Sequence, residues 1–202
     1  MWPLNIYNFP LSKIEEMQKK ITSALKKWLR IPKSFSTDCL YSNSTKLRLP
    51  YSSLTEDYKA AKARNLVTFE QSRDPCIRNA GISVDAGRKA NTPAEVKDAK
   101  SRLQMAEITG VANKGREGLG MKRRQYFSTS NRKVQRDMVV QSVREKEEEQ
   151  RVINITGLSK QGTNLRWDVP QRQISHNKMI NTTEASLSFL IKLVYDLLPT
   201  PA

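Results

Sequence analysis

Histidine is almost absent from this chain of 202 residues, and cysteine nearly so: His176 stands alone, and Cys39 and Cys76 are the two thiols. The cysteines lie far apart without CxxC spacing, so neither a zinc site nor a disulfide framework is expected. They read as buried thiols of a reducing, intracellular compartment, nuclear or cytoplasmic. Acids are the next shortage. Asp and Glu total 20 against 35 Lys and Arg, and apart from Glu15-Glu16 and the run Glu147-Glu148-Glu149 they are scattered. Such a run reads as a solvated helix face. Polymerases and metal-dependent nucleases need two or three carboxylates gathered around divalent metal. No such set is visible, so no catalytic residue, metal site, cofactor or small-molecule substrate is expected. Nucleophile elbow, HExxH and phosphate loop are missing as well; GREGLG at 115–120 lacks the preceding strand and the Lys-Ser/Thr ending. The most apolar stretch, Leu187 to Leu198, contains Lys192 and Asp196 and is too short to span a bilayer, so no membrane partner is expected. Met1-Trp2-Pro3-Leu4 lacks the charged start and apolar run of a signal peptide. With only 38% hydrophobic residues, the chain should form modest helical cores joined by polar stretches.

What is abundant is positive charge. The formal net charge is +15. That imbalance repels itself in a compact state and favours polyanions, nucleic acid above all, because each phosphate neutralised releases condensed counterions.

The expected fold class is mainly α. Ser12-Lys13-Ile14-Glu15 has the pattern of a capping box. Ile14, Met17, Ile21, Leu25 and Trp28 follow at steps of three and four, predicting one apolar stripe with Lys19, Lys20, Lys26 and Lys27 off it and Pro32 closing the helix. Trp28 on that stripe reads as core. A short helical turn is expected near Thr37 to Tyr41, and Ser44 to Pro50 reads as an extended connector. A second helix starts at Ser53, with Leu54, Tyr58, Ala61 and Leu66 roughly inward and Lys59, Lys62 and Arg64 elsewhere; Asp74-Pro75 ends it. Residues 79–92 read as a loop. A third helix opens at Thr92-Pro93, helped by Val96, Leu103, Ala106 and Ile108.

Residues 113–136 change character: eight Lys and Arg (Lys114 to Arg136) face Glu117 alone, among three glycines and a Ser/Thr cluster. They read as a basic flexible linker. A long, charged, largely exposed helix is expected from Asn131 to about Gly162, and a final one from about Thr183 to Leu198, against which Trp167 packs. The expected division is therefore 1–112, a helical bundle; 113–136, the linker; and 137–202, further helices.

Basic residues interleave with aromatics at Lys26-Lys27-Trp28-Leu29-Arg30 and at Lys122-Arg123-Arg124-Gln125-Tyr126-Phe127. Lys and Arg contact phosphates, and aromatic planes stack on unpaired bases. Tyr126 and Phe127 lie on no apolar stripe and are open to stacking or to docking.

Several strings in order resemble a known family. Trp2-Pro3-Leu4, Tyr7, Pro10 and the segment Lys27-Trp28-Leu29-Arg30-Ile31-Pro32 resemble the thumb entry of non-LTR (LINE-type) retrotransposon reverse transcriptases, in the branch carrying a restriction-like endonuclease. Leu40-Tyr41 with Ser44 to Pro50, Ala80-Gly81 with Gly87-Arg88-Lys89, Ser101-Arg102-Leu103 with Gly115-Arg116 and Gly118-Leu119-Gly120, and finally Phe189-Leu190-Ile191 with Val194-Tyr195-Asp196 and Leu198-Pro199, are similar to successive segments of the same family. The resemblance implies a thumb-like bundle and linker. The catalytic aspartates of the family would lie upstream, and its zinc knuckle and endonuclease downstream.

The expected role is then binding without catalysis: gripping RNA or DNA, a template–primer duplex, through its phosphates. Lys26, Lys27, Arg30, Lys46 and Arg48 are the expected thumb contacts, and Lys122, Arg123 and Arg124 the expected linker contacts. Two rivals are residual RNA-directed DNA polymerase activity, against which the missing carboxylate cluster argues, and a decayed reading frame or protein-interaction module.

Overall fold

A computed structural model describes residues 7–80, 91–109, 111–112, 121–122 and 126–198, with only the backbone described at 111–112 and 121–122. The chain is mainly helical. In order, the described elements are α1 (Leu11–Trp28), α2 (Thr37–Tyr41), β1 (Leu47–Arg48), α3 (Leu54–Glu70), α4 (Pro75–Asn79), α5 (Thr92–Thr109), β2 (Val111–Ala112), β3 (Met121–Lys122), α6 (Arg132–Thr156), a 3₁₀ turn (Thr163–Arg166), β4 (Arg172–Gln173), α7 (His176–Asn181) and α8 (Glu184–Val194). The expected loop at 81–90 lies outside the described residues.

The chain divides into two compact units that are not sequential: Met1–Ile14 with Thr55–Glu145, and Glu15–Leu54 with Lys146–Ala202. This differs from the sequential division at 112 and 136. Apolar residues at 29–49 find their partners beyond residue 154, not among their neighbours in sequence.

In the first unit, α3, α5 and α6 supply a core of Ala63, Val67, Val96, Ala99, Leu103, Val139 and Val143, which Phe127 joins. Phe127 is therefore not available for stacking. The side chain of Lys62, expected to point outward, is 2% exposed. Its ammonium donates to the Tyr7 carbonyl at 2.8 Å and to Asn8 Oδ1 at 2.6 Å, and it lies 5.3 Å from the centroid of the Tyr58 ring. Burial lowers its pKa. β2 and β3 pair antiparallel, Val111 opposite Lys122 and Ala112 opposite Met121. Both strands, and the start of α6 at Arg132, mark regular structure at the edges of and inside the stretch expected to be linker. α5 begins at Thr92 as expected, with Asn91 Oδ1 accepting from the Ala94 N–H at 3.0 Å; Ile108 is exposed rather than core.

In the second unit the core joins Leu29, Ile31, Phe35, Leu40 and Leu47 to Ile155, Ile174, Leu187, Ile191 and Tyr195. Each fully buried Leu or Ile contributes on the order of 2 kcal/mol of transfer free energy. The Tyr195 hydroxyl sits 3.2 Å from the Cys39 carbonyl, 3.1 Å from the Leu47 carbonyl and 3.0 Å from Thr45 Oγ1, so its buried polar end is matched. The extended connector at 44–50 holds a true strand: β1 pairs parallel with β4, Leu47 opposite Arg172 and Arg48 opposite Gln173. Cys39 is buried as expected, but Cys76, in the five-residue α4 with no buried side chain, is exposed. Trp167 is 40% exposed, and Leu165 packs on the core in its place. The acidic run is not uniformly solvated either. Glu148 Oε1 accepts from Ser42 Oγ at 2.6 Å and from the Asn43 and Ser44 N–H groups at 2.8 and 2.9 Å.

Candidate nucleic-acid interface

α1 starts one residue before the expected capping box. Leu11, 5% exposed, is drawn into the helix, and the Pro10 carbonyl accepts from the Lys13 N–H at 2.9 Å, so Ser12 is not the cap. The buried face of the helix is also not the expected apolar stripe. Leu11, Ile14, Gln18, Thr22 and Leu29 are buried, whereas Met17, Ile21 and Trp28 are 48%, 44% and 43% exposed. Hydrogen bonds explain the rotation. Gln18 Oε1 accepts from the Leu54 N–H and Gln18 Nε2 donates to Thr22 Oγ1, while Thr22 Oγ1 lies 3.1 Å from the Tyr41 hydroxyl. A polar pair with all its partners in place can be buried at little cost. Trp28 consequently moves from expected core to an exposed ring beside Lys27.

The C-terminal end of α1 builds the site. Arg30 adopts φ 52, a left-handed conformation. Its N–H donates to the Lys27 carbonyl at 3.2 Å, and the Ile31 N–H donates to the Lys26 carbonyl at 3.1 Å. These are the paired bonds of a left-handed helix cap, a place where glycine is usual and a side chain is strained. The cap turns the chain so that residues 31–37 run back beside α1. The Lys26 ammonium holds that return segment, donating to the Lys33 carbonyl at 3.2 Å and to the Phe35 carbonyl. Burial lowers the pKa of Lys26.

Between helix and return segment lies a cavity of about 540 Å³, lined by Lys19, Lys26, Lys27 and Lys33 together with Ser23 and Thr37, among others, and, among the described residues, by no acidic one. Among the described residues Lys19, Lys27 and Lys33 have no acidic partner. Several cations of the first unit face carboxylates instead. Arg64 pairs with Asp137 at 3.0 Å, Lys100 with Glu70 at 2.6 Å, and Arg144 with Asp57 at 2.8 Å and Glu56 at 3.3 Å.

The expected contact residues therefore separate. Lys26 and Lys27 line the cavity. Arg30 forms an exposed ion pair with Glu184 at 3.1 Å. Lys46 donates to the Val169 carbonyl at 3.0 Å, and Arg48 is half-buried in β1. Lys122 lies in β3, where only the backbone is described, and Arg123 and Arg124 lie outside the described residues. Lys19 and Lys33 were missed as contacts. Their sequence signal is the interval of seven that puts Lys19 and Lys26 on one face of the helix, repeated once more to Lys33 across the turn. Among the described residues no three His, Cys, Asp or Glu side chains gather to hold a metal ion, and no helix is long and apolar enough to cross a membrane. Comparison with family models, with curated proteins and with solved structures finds no match to this chain.

Proposed function

We propose that the chain is a nucleic-acid-binding element, a thumb-and-linker segment like those of LINE-type reverse transcriptases, which holds RNA or DNA by its phosphates and does no chemistry of its own. The observation that carries this reading is the set of lysines lining the α1 cavity, with no acidic residue among the described residues that line it. Ammonium groups without acidic partners keep their field for a polyanion, whereas Arg64, Lys100 and Arg144 of the first unit face carboxylates of their own. Lys46 and Arg48, before and in β1, add positive charge in the same unit, and the exposed Trp28 ring adds a plane on which an unpaired base can stack. Contacts of this kind fix position on the strand without reading sequence.

The test is a gel-shift or filter-binding titration over salt. Displacing counterions from about four phosphates gives a slope of log K against log salt near −3, about a 60-fold loss between roughly 50 and 200 mM salt. A flat dependence, or no binding at low salt, refutes the reading.

A further inference from the structure

We infer that the α1 cavity is a site for a terminal polyphosphate group, carried either by a strand end or by a free nucleotide, and not a stretch of a continuous backbone groove. The inference rests on the functional reading above in that both assign the α1 lysines to phosphate, and it departs from the expectation that the chain has no small-molecule ligand. Three observations lead to it. The first is size. The half-open pocket of about 540 Å³ between α1 and the return segment has the volume of a small-ligand site. The second is charge density. Each phosphodiester of a strand carries a single charge. Lys19, Lys26, Lys27 and Lys33 gather around one cavity, which suits the several charges that a polyphosphate concentrates in a small volume.

The third is how the cations are held. The Lys26 ammonium has three N–H donors, of which two hold the Lys33 and Phe35 carbonyls, leaving one for a ligand at a fixed place. Lys19, Lys27 and Lys33 are exposed and able to close on a bound group. Ser23 and Thr37 add hydroxyl donors, and Ile31 gives an apolar wall for a sugar. Among the described residues nothing acidic lines the cavity to compete for these donors.

The probes are inorganic tripolyphosphate against orthophosphate, and one short RNA bearing either a 5′-triphosphate or a 5′-hydroxyl, each titrated calorimetrically into the full chain. Tripolyphosphate should bind at least tenfold more tightly than orthophosphate, and the triphosphorylated RNA at least tenfold more tightly than its hydroxyl twin. In Lys19→Gln/Lys33→Gln both preferences should disappear, the triphosphorylated RNA losing at least tenfold more affinity than its 5′-hydroxyl twin. The double variant leaves the fold alone, because Lys33 contributes its backbone carbonyl to the turn and neither ammonium is bonded. Arg48→Gln should do the reverse, weakening 5′-hydroxyl RNA and leaving tripolyphosphate unchanged. A nucleoside triphosphate that displaces the triphosphorylated RNA at equal concentration identifies the free nucleotide as ligand, and a large excess requirement identifies the strand end. Tripolyphosphate binding no better than orthophosphate, or no advantage for the triphosphate end, overturns the inference. If RNA binding persists in that case, the general functional reading stands. If tripolyphosphate binds and no RNA does, that reading fails and the cavity assignment stands.

Discussion

Glu148 offers a direct measure of what holds the second unit together. Its Oε1 takes hydrogen bonds from Ser42 Oγ and from the Asn43 and Ser44 N–H groups, and its Oε2 faces Arg151 Nη1 at 2.8 Å. One carboxylate thereby ties α6 to the loop that leads into Thr45 and β1. Removing it in Glu148→Ala leaves Ser42, which is 2% exposed, to find another acceptor, and takes away the carboxylate in front of a guanidinium whose side chain is 9% exposed. A hydrogen bond to a charged group contributes about 1.5–3 kcal/mol, and breaking a buried pair costs about 3–5. Water recovers part of this at the exposed Asn43 and Ser44, so the expected loss is about 3 kcal/mol. Glu148→Gln keeps an acceptor and should lose about half as much. Burial alone would raise the pKa of Glu148, but the bonds from Ser42, Ser44 and Arg151 outweigh it and bring the group below the ordinary 4.5. The folded carboxyl thus titrates below the unfolded one. Its contribution is complete above about pH 5 and is lost as the pH falls through the folded value. Urea unfolding followed by circular dichroism should show the parent and Glu148→Ala differing by about 3 kcal/mol at pH 7, with the gap narrowing as the pH falls below about 5. Glu149→Ala, on an exposed position of the same run, is the control and should stay within about 0.5 kcal/mol. A Glu148→Ala loss no larger than the control, or one independent of pH, refutes the reasoning.

Three further outcomes are expected. Arg30→Gly relieves the left-handed strain at φ 52 and forfeits only an exposed ion pair, so calorimetry should show it more stable by about 1 kcal/mol; a lower melting temperature counts against the cap assignment. In Gly162→Ala the new Cβ meets the Ile155 carbonyl oxygen at 2.2 Å and that of Leu158 at 2.7 Å, and both are backbone, so chemical denaturation should register a loss of about 2 kcal/mol or more; a neutral result refutes the fold-back of this turn on α6. Burial pushes the Cys39 thiol from 9.0 up to about 12 and raises the Tyr195 hydroxyl, so stability is complete below pH 9, where the unfolded thiol begins to ionise, and falls as the pH rises toward 12. Urea melts from pH 8 to 11 check this, and a flat profile sinks it.

The positions of the helices were legible because they rest on local signals: proline after Thr92, steps of three and four at 14–28, and the apolar cluster at 187–194. Their faces were less so. Gln18 and Thr22 are buried because Leu54 and Tyr41 complete their hydrogen bonds, and Lys62 is buried because Tyr7 and Asn8 accept from it. None of those partners is adjacent in sequence. The end of α8 shows the same limit. Apolar spacing carries the expected helix to Leu198, but Asp196 takes φ 51 and the helix stops at Val194. Neither Arg30 nor Asp196 advertises a left-handed cap as glycine would.

That cap also resolves a conflict at the candidate site. The C-terminal end of a helix carries a partial negative charge and open carbonyls, which repel phosphate. A cavity at the end of α1 is on that ground a poor place for an anion. Here the repelling groups are occupied: the Lys26 and Lys27 carbonyls accept from the turn, and the Lys33 and Phe35 carbonyls accept from the Lys26 ammonium. What remains directed at the cavity is a set of lysines. On this view Lys26, which stood out in the sequence as a contact, is first the post that holds the return segment, and the free cations of the site are Lys19, Lys27 and Lys33. Substituting Lys26 therefore confounds folding with binding, whereas Lys19 and Lys33 report on binding alone.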